Sequence, residues 1–433
     1  MAGSAVGLGN AWKFPTMVGQ NGGSAFILLY FALTMFVAFV VFLAELGIGR
    51  LSRRDPVSAY EYLAPKNKKL WGFAGFFMST AVLISCFYLV VLGWIVKYIY
   101  LSVFPLPSSI ETSGAIFGSL LSNDLLSQFI CFSIVFFITF YTVSKGIING
   151  IEKMNVWMMP ALIILLFLML LYSAFVDGFG SAFSFMFMPD FSKLGSDSVL
   201  KALGLSFFSL SLGVCTVLTY AASLPDKINV LKSTLSIIFI NILIGLMMGL
   251  IIFTFIFAYG ADPAQQGPGL IFVSLASLFG KLGLLGNVLA FAFFISLLFA
   301  GLTSSVSMIE PFCTYLVDRF KLSRNSSLII LGVFVYIFGS FCILGFNEST
   351  AATFSLFKLS AFDILDYITS NILMPLAALV ICSFVGFVIK RDKLEELLSP
   401  YLGSLGYKLW LFFLRFIAPL AILAIMINQL FYA

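Results

Sequence analysis

The chain has 433 residues, of which 61% are hydrophobic and 10% are charged, and it contains no histidine. Because soluble domains carry about 25% charged residues, this composition excludes a soluble enzyme, a secreted disulfide scaffold and a disordered protein. The missing histidine excludes imidazole general bases and histidine-ligated metals. The net charge is +5, and in a chain surrounded by lipid the positions of the charges matter more than their sum.

Nine apolar stretches are each long enough to cross a bilayer core about 30 Å thick as a helix. They are residues 24–49, 71–103, 125–143, 155–175, 229–259, 284–316, 327–345, 359–389 and 409–431. Two further segments, 1–20 and 199–222, are rich in glycine and serine, a composition that weakens a helix interior and predicts a break. The sequence therefore predicts an all-α membrane protein.

The basic residues fix which loops face the cytoplasm, where Lys and Arg accumulate. If residues 199–222 cross the membrane, sixteen Lys and Arg residues fall on one side and four on the other. If that segment does not cross, every later loop changes sides and the asymmetry disappears. We therefore expect 199–222 to be a span. The predicted cytoplasmic loops are 50–69, 145–153, 227–232, 319–324 and 390–393.

The same rule makes the N-terminus unusual. With residues 50–69 in the cytoplasm, residues 15–23 are external, and the fourteen residues before them are too few to span. We expect Met1 to lie inside the first helix, so that the cytoplasmic half of this helix is missing. The full-length parent is then expected to have eleven spans.

The two glycine-interrupted segments stand first and sixth among the spans, and each opens a run of five. This spacing indicates an inverted-repeat transporter whose broken helices lie at the bilayer midplane. We expect one polytopic domain, 1–433, with a first repeat of about 1–176, a second of about 197–390, and an extra helix of about 403–433. Helices 1 and 6 are expected to be broken.

The first glycine-rich segment, GSAVGLGNAWKFP at residues 3–15, predicts a site for both a cation and an amino acid. An unwound stretch frees backbone carbonyls, which suit a hard cation such as Na⁺. The N–H groups that start the following half-helix suit a carboxylate. Lys13 is an ionisable residue near membrane depth and needs a partner. Pairing with Asp366 is one reading, and two separately solvated charges are the other.

Clusters of hydroxyl groups occur in two later segments. Ser209 and Ser211 precede a glycine in FFSLSLG, and AGLTSSVSMIEP holds four hydroxyls in five residues. Serines in membrane helices often bond their own backbone or a neighbouring helix. Four hydroxyls at about 100° per residue cannot all face one neighbour, so binding of a ligand stays open beside that structural reading.

Five segments resemble the neurotransmitter:sodium symporter family, and within it the bacterial leucine-transporter-like sodium-dependent amino acid transporters. They are AGSAVGLGNAWKFP, NGGSAFILLY, FFSLSLG, FAGLTSS and FDILDYITSNILMPL. Each is modest alone, but all five occur in the family's order. The resemblance implies sodium-coupled symport of amino acids or amines by alternating access, on a fold of two inverted five-helix repeats plus an eleventh helix.

The resemblance also implies two sodium sites. The first is implied to use Ala5, Asn10, Ser209 and Asn241 together with the substrate carboxylate. The second is implied to use Gly3, Val6, Ala300, Thr303 and Ser304. A substrate that completes the first site couples its own binding to that of sodium.

For the substrate, the resemblance implies a carboxylate held by Leu8, Gly9 and Tyr88 and an ammonium held by Ala5, Phe208 and Ser211. The substrate side chain is implied to pack on Ile84, Phe208, Val214, Ser304 and Met308, beside the first sodium ligand Ser209. This pocket contains no acidic residue, which favours an α-amino acid over a monoamine. Val214 stands where the bacterial leucine transporter has Phe, which favours large aliphatic or aromatic substrates.

Gates and chloride follow from the same resemblance. The outer gate is implied to be Lys13 with Asp366, and Lys replaces the family's usual Arg with a point charge. Asp318 matches the inner-gate acid, whose basic partner would precede Met1. Chloride dependence stays open: Tyr30, Ser209 and Asn241 match chloride-dependent members, but Leu205 and Gly245 supply neither the polar pair of those members nor the substituting carboxylate.

We therefore predict sodium-coupled uptake of a neutral, hydrophobic or aromatic amino acid by a multi-pass plasma-membrane protein, of the bacterial inner-membrane type. The alternative hypothesis is a truncated, non-transporting paralogue or sensor that binds an amino acid without cycling. An ion channel lacks the expected charge ring or carbonyl filter. We predict partners limited to the substrate and the bilayer, with no nucleic acid and no obligate protein partner, and we predict no enzymatic activity.

Overall fold

The computed structural model describes residues 2–195, 197–225, 227–261, 263–264, 269–356 and 359–431. Apart from short 3₁₀ turns, the regular structure of these residues is helical, with one antiparallel pair of two-residue strands, β1 (Ser355–Leu356) and β2 (Leu359–Ser360). The helices are α1 (Ala2–Ala5), α2 (9–20), α3 (Ser24–Ser52), α4 (Pro56–Leu63), α5 (Lys68–Leu101), α6 (Ile110–Ser122), α7 (Leu125–Ser144), α8 (Ile147–Ser173), α9 (Phe179–Phe187), α10 (Ser198–Ser209), α11 (Thr216–Ala222), α12 (Val230–Ala258), α13 (Leu270–Gly280), α14 (Leu284–Phe320), α15 (Arg324–Leu344), α16 (Ala361–Val388) and α17 (391–431).

Nine helices in the described ranges are long and apolar enough to cross a membrane, and they correspond to the nine apolar stretches of the sequence. They are α3, α5, α7, α8, α12, α14, α15, α16 and α17. The predicted all-α membrane fold is confirmed. The correspondence is close because the length of an uninterrupted apolar run fixes a spanning helix largely by itself.

The first glycine-rich segment bends where α1 ends. The helix stops at Ala5, residues 6 and 7 bend, and helical backbone resumes at Gly9 with a wide π turn. The Asn10 N–H donates to the Gly7 carbonyl across 3.1 Å, which closes the bend as a turn. The carbonyls of α1 therefore lack the continuous helical partners that a straight helix supplies.

The second glycine-rich segment is interrupted over 210–215, between α10 and α11. Three of its residues, Ser211, Gly213 and Cys215, have left-handed backbones with φ of 51°, 79° and 62°. Residues other than glycine seldom adopt this conformation, and the surrounding structure must hold them there. This interruption is therefore conformationally strained, unlike the bend after α1.

Two neighbours hold this strained segment. Its Gly213 N–H, freed by the loss of helix, donates to the buried Glu45 carboxylate of α3 across 3.1 Å. On the other side α16 packs so closely that a Cβ at Gly213 would lie 2.8 Å from the Met374 carbonyl oxygen. A buried N–H needs an acceptor, and the Glu45 carboxylate takes the place of the carbonyl that a continuous helix would have supplied to Gly213.

One arginine ties three helices together at the side that the distribution of Lys and Arg predicts to be cytoplasmic. Arg324, at the start of α15, forms a two-bond ion pair with the buried carboxylate of Glu310 on α14. Its Nε also donates to the Val143 carbonyl at the end of α7, across 2.8 Å. These bonds fix that end of α14, the long helix that carries the hydroxyl cluster.

Candidate substrate and cation site

A single cavity lies where the two interrupted segments meet. It is lined by all eleven residues expected to contact substrate: Ala5, Leu8, Gly9, Ile84, Tyr88, Phe208, Ser209, Ser211, Val214, Ser304 and Met308. Gly7, Asn10 and Met374 complete the lining, and the cavity holds about 440 Å³ of atom-free space, including the space at its open mouth. None of these side chains is charged. Whatever binds here meets hydroxyls, an amide, backbone groups and apolar surface.

One end of the cavity offers the polar groups of the bend after α1. The Leu8 N–H donates to the Tyr88 hydroxyl across 3.1 Å. Tyr88 is buried on α5, so its hydroxyl is held in place by this bond rather than by water. A carboxylate placed here would be offered a backbone N–H and a phenolic O–H together, which is a pair of donors suited to an anion.

The hydroxyl of Ser211 is directed at the same bend from the strained segment. It donates to the Ser4 carbonyl across 3.3 Å. Because Ser211 has a left-handed backbone, the hydroxyl reaches across the break between α10 and α11 rather than back onto its own helix. The two interruptions are thus joined directly by a hydrogen bond.

Beside the cavity, oxygen atoms crowd around the Asn241 amide of α12. One terminal atom of this amide lies 2.9 Å from the Ala5 carbonyl oxygen, 3.1 Å from Asn10 Oδ1 and 3.2 Å from the Ser209 carbonyl oxygen. The other lies 3.3 Å from Ser209 Oγ. With nitrogen at the first position the amide donates to these oxygens. With oxygen there, the four oxygens form a cluster that a hard cation can bind.

This first oxygen cluster is buried and linked to its surroundings. Asn10 Nδ2 donates to the Asn241 carbonyl across 2.7 Å, and Tyr30 Oη lies 3.0 Å from Ser209 Oγ. Asn10, Asn241 and Ser209 are each at most 3% exposed. Residues from α1, α2, α10 and α12 therefore meet at one dry point, and the four expected ligands are brought together.

A second oxygen cluster joins α1 to α14. Ser304 Oγ donates to the Val6 carbonyl across 2.9 Å and lies 3.3 Å from the Gly3 carbonyl oxygen. On the preceding residue, Thr303 Oγ1 lies 2.9 Å from the Ala300 carbonyl oxygen. The five groups expected at the second sodium site thus lie in two hydrogen-bonded sets on neighbouring residues. They offer carbonyls and hydroxyls without a formal charge.

The expected outer gate, Lys13 with Asp366, is not closed as an ion pair. Lys13 Nζ lies 3.6 Å from the centroid of the Phe208 ring, in a cation–π contact. Asp366 Oδ1 instead accepts a hydrogen bond from Ser370 Oγ across 2.9 Å. In this structure the ammonium contacts an aromatic face rather than the carboxylate, and a gating role for Lys13 and Asp366 stays a prediction.

A larger outer cavity, with about 1290 Å³ of atom-free space counted in the same way, lies on the other side of Phe208, and both Phe208 and Met374 line it as well as the inner cavity. Its rim carries Lys13, Lys201 and Asp197. Lys201 donates to Asp197 across 2.6 Å, which lowers the pKa of that carboxyl from its ordinary value. Two side chains thus separate the substrate cavity from the outer cavity.

Met374 is the lining residue that the sequence did not single out. It sits within the recognised FDILDYITSNILMPL segment, and the only signal was its place one residue before a proline. Asp318, which the resemblance implied as the inner-gate acid, is exposed at the end of α14 and forms no ion pair within the described part of the chain; its role as a gate stays a prediction. At the positions that bear on chloride, Leu205 is buried and Gly245 packs against the Phe14 ring.

Comparison with known proteins identifies the family. The sequence model of the sodium:neurotransmitter symporter family matches residues 1–113 and 102–433. An uncharacterised sodium-dependent transporter, YhdH, of Bacillus subtilis is 34% identical over 99% of this chain and 94% of its own length. One of Haemophilus influenzae is 33% identical over 100% and 96%.

The crystal structure of MhsT in complex with L-phenylalanine superposes with a TM-score of 0.89, at 33% identity, covering 99% of this chain and 96% of MhsT. The chain therefore belongs to the sodium:neurotransmitter symporter family, and it is a multi-pass membrane transporter rather than an enzyme.

Proposed function

We propose that this chain carries a neutral, hydrophobic or aromatic α-amino acid into the cell together with sodium, by alternating access. The observation that carries the proposal is the uncharged cavity between the two interrupted segments. A zwitterion brings both of its charges, and the broken backbone offers donors for one and carbonyls for the other. An amine without a carboxylate would leave the Leu8 N–H and the Tyr88 hydroxyl without their anion.

The apolar wall of the cavity supports the substrate class. Ile84, Val214, Met308 and Met374 give it aliphatic and thioether surface, and Phe208 closes it. Methionine side chains adapt their shape to different ligands, which suits a range of large hydrophobic side chains. The similar protein MhsT was solved with L-phenylalanine, and we propose phenylalanine as the first substrate to test.

We propose that the first oxygen cluster, Ala5, Asn10, Ser209 and Asn241, binds one sodium ion in contact with the substrate carboxylate. With Asn241 Oδ1 facing Ala5 and Asn10, it accepts a hydrogen bond from Asn10 Nδ2 across 2.8 Å, and a cation among the remaining oxygens would offset their mutual repulsion. The carboxylate is then the only formal negative charge at the ion. Each ligand therefore raises the affinity of the other, as linkage requires.

We propose that the second oxygen cluster, Gly3, Val6, Ala300, Thr303 and Ser304, binds a second sodium ion. It fixes α1 against α14, so its occupancy controls whether the bend after α1 stays packed on the scaffold. The two repeats, about 1–176 and 197–390, each contribute one interrupted segment. We propose that these segments move relative to α5 and α14 during the cycle, with Phe208 and Met374 as the outer barrier.

Binding to the purified protein tests this proposal. L-[³H]phenylalanine is titrated in NaCl and in KCl of equal ionic strength, and the sodium half-saturation is measured at fixed phenylalanine. We expect saturable binding in NaCl and none in KCl. Asn10→Ala should weaken sodium and phenylalanine together, by about tenfold each, whereas the exposed Asn149→Ala should change neither. Sodium binding that ignores phenylalanine would contradict the coupling.

A further inference from the structure

Asn155, on α8, has a buried amide oxygen with no hydrogen-bond donor. Its amide nitrogen donates to the Ile151 carbonyl one turn earlier, across 2.9 Å. This bond fixes the orientation of the amide, so the oxygen must point away from its own helix. A buried amide oxygen without a partner is costly and calls for an explanation, such as an ion or a water.

The oxygen lies against Gly3, one of the residues of the second oxygen cluster. A Cβ at Gly3 would overlap Asn155 Oδ1, and it would also lie 3.1 Å from Thr303 Cβ. Gly3 therefore permits the amide to approach the backbone whose carbonyl faces Ser304 Oγ. Asn155 Oδ1 and the second cluster meet at the same residue, although α8 contributes none of the five expected ligands.

The position of Asn155 relative to the membrane is set by charge and by chain direction. α8 begins on the side of the basic residues Lys145 and Lys153, which the distribution of Lys and Arg assigns to the cytoplasm. Gly3 precedes Val6 in a segment that runs from that side toward Lys13 at the outer cavity. Asn155 therefore approaches the second cluster from the cytoplasmic side.

We propose that Asn155 Oδ1 is a further sodium ligand, which an ion contacts between the second oxygen cluster and the cytoplasm. The inference rests on the proposed function, because it requires that the second cluster bind sodium. An amide oxygen is a ligand that hard cations accept. The same oxygen lacks any other partner in the described structure, so it is unsatisfied when no ion is bound. Contact between the ion and this oxygen is therefore expected to raise the affinity for sodium.

The test compares Asn155→Leu, which removes the oxygen at similar size, with Asn155→Asp, which keeps an oxygen and adds charge. Asn149→Leu, an exposed amide on the same helix, is the control. Sodium half-saturation of L-[³H]phenylalanine binding and the sodium-induced rise in melting temperature are measured for each. We expect Asn155→Leu to raise the half-saturation about five- to tenfold and Asn155→Asp to lower it, with the control unchanged.

Opposite shifts in the two variants separate a ligand from a merely structural residue, which would lose sodium affinity in both. Asn155→Leu should also melt at a higher temperature than the wild type in KCl, because an unpartnered oxygen is gone, and gain less from sodium. A half-saturation within twofold of wild type for both variants overturns this inference alone. If phenylalanine binding to the wild type does not depend on sodium, both the proposed function and this inference are contradicted. If Asn155→Leu does not fold, Asn155→Asp decides: an unchanged or raised half-saturation overturns the proposal.

Discussion

The two interrupted segments differ in how their backbone is held. The bend after α1 has ordinary backbone angles and is fixed by hydrogen bonds to side chains of other helices: the Tyr88 hydroxyl accepts from the Leu8 N–H, and the Ser304 hydroxyl donates to the Val6 carbonyl. The interruption between α10 and α11 holds three left-handed residues and is fixed by Glu45 and by close packing of α16. The first offers carbonyls at little conformational cost, so its shape depends on its ligands. The second stores strain and depends on the scaffold.

This comparison predicts that changes at the second interruption act on folding, whereas changes at the first act on ligand affinity. The largest effect is expected for Gly213→Ala. The substitution adds a Cβ 2.8 Å from the Met374 carbonyl oxygen, at a φ of 79°, and left-handed backbone alone costs an L-residue about 1–2 kcal/mol. We expect a melting temperature several degrees lower, with loss of binding.

The control for this substitution is Gly118→Ala. Gly118 lies in α6, and a Cβ there meets nothing within 4 Å, so alanine should leave stability unchanged or raise it slightly. Equal melting temperatures for Gly213→Ala and wild type would show that the second interruption is not strained as described.

The next largest effect is expected for Tyr88→Phe, which removes the hydroxyl that the Leu8 N–H contacts. Phenylalanine affinity should fall about tenfold, since a buried N–H loses its partner and the carboxylate loses a donor. Isothermal titration in NaCl measures it. Tyr336→Phe, whose hydroxyl lies 3.0 Å from Ser133 Oγ and away from the cavity, is the matched control and should bind as wild type. A comparable loss in both variants would point to general destabilisation.

Ser304→Ala should have an intermediate effect, larger on sodium than on phenylalanine. Removing the hydroxyl that contacts the Val6 and Gly3 carbonyls should raise the sodium half-saturation about fivefold. The neighbouring Ser305→Ala is the control, because Ser305 Oγ bonds Leu302 and Thr139 instead. If the two variants shift the sodium half-saturation equally, the second cluster does not bind sodium through Ser304.

The smallest effect is expected for Lys13→Gln, which removes the cation–π contact with Phe208. Such a contact contributes about 0.5–1 kcal/mol where it is partly exposed, so the equilibrium affinity for phenylalanine should change less than tenfold. The rate of phenylalanine dissociation, measured by isotope dilution, should rise, because Phe208 closes the cavity from outside. Asp366→Asn should leave that rate unchanged, and an equal rise in both variants would indicate a working Lys13–Asp366 gate.

The fold could be predicted because it depends on patterns that extend over long stretches of the sequence. Apolar runs predict the nine spans, and the distribution of basic residues among the loops predicts that 199–222 crosses the membrane. The eleven residues expected to contact the substrate also line one cavity, because the segments that supply them lie at the two interruptions or on α5 and α14 beside them. Their roles in binding remain predictions.

What the sequence did not reveal depends on distances between segments far apart in the chain. Met374 is an apolar residue in an apolar helix, and only the shared boundary of two cavities distinguishes it. The partner of Lys13 was assigned by charge, whereas the Phe208 ring lies close enough to take the ammonium. Asn155 Oδ1 stands out only because it has no donor, a property that no sequence pattern carries.

Uptake into proteoliposomes measures directly whether this chain transports phenylalanine together with sodium. Vesicles loaded with KCl are diluted into NaCl or KCl containing L-[³H]phenylalanine, and internal phenylalanine is followed with time. In NaCl we expect phenylalanine to accumulate above its external concentration, and this accumulation should collapse when a sodium ionophore dissipates the gradient. In KCl we expect no accumulation. Saturable, sodium-dependent binding to the same protein without accumulation in the vesicles would contradict it.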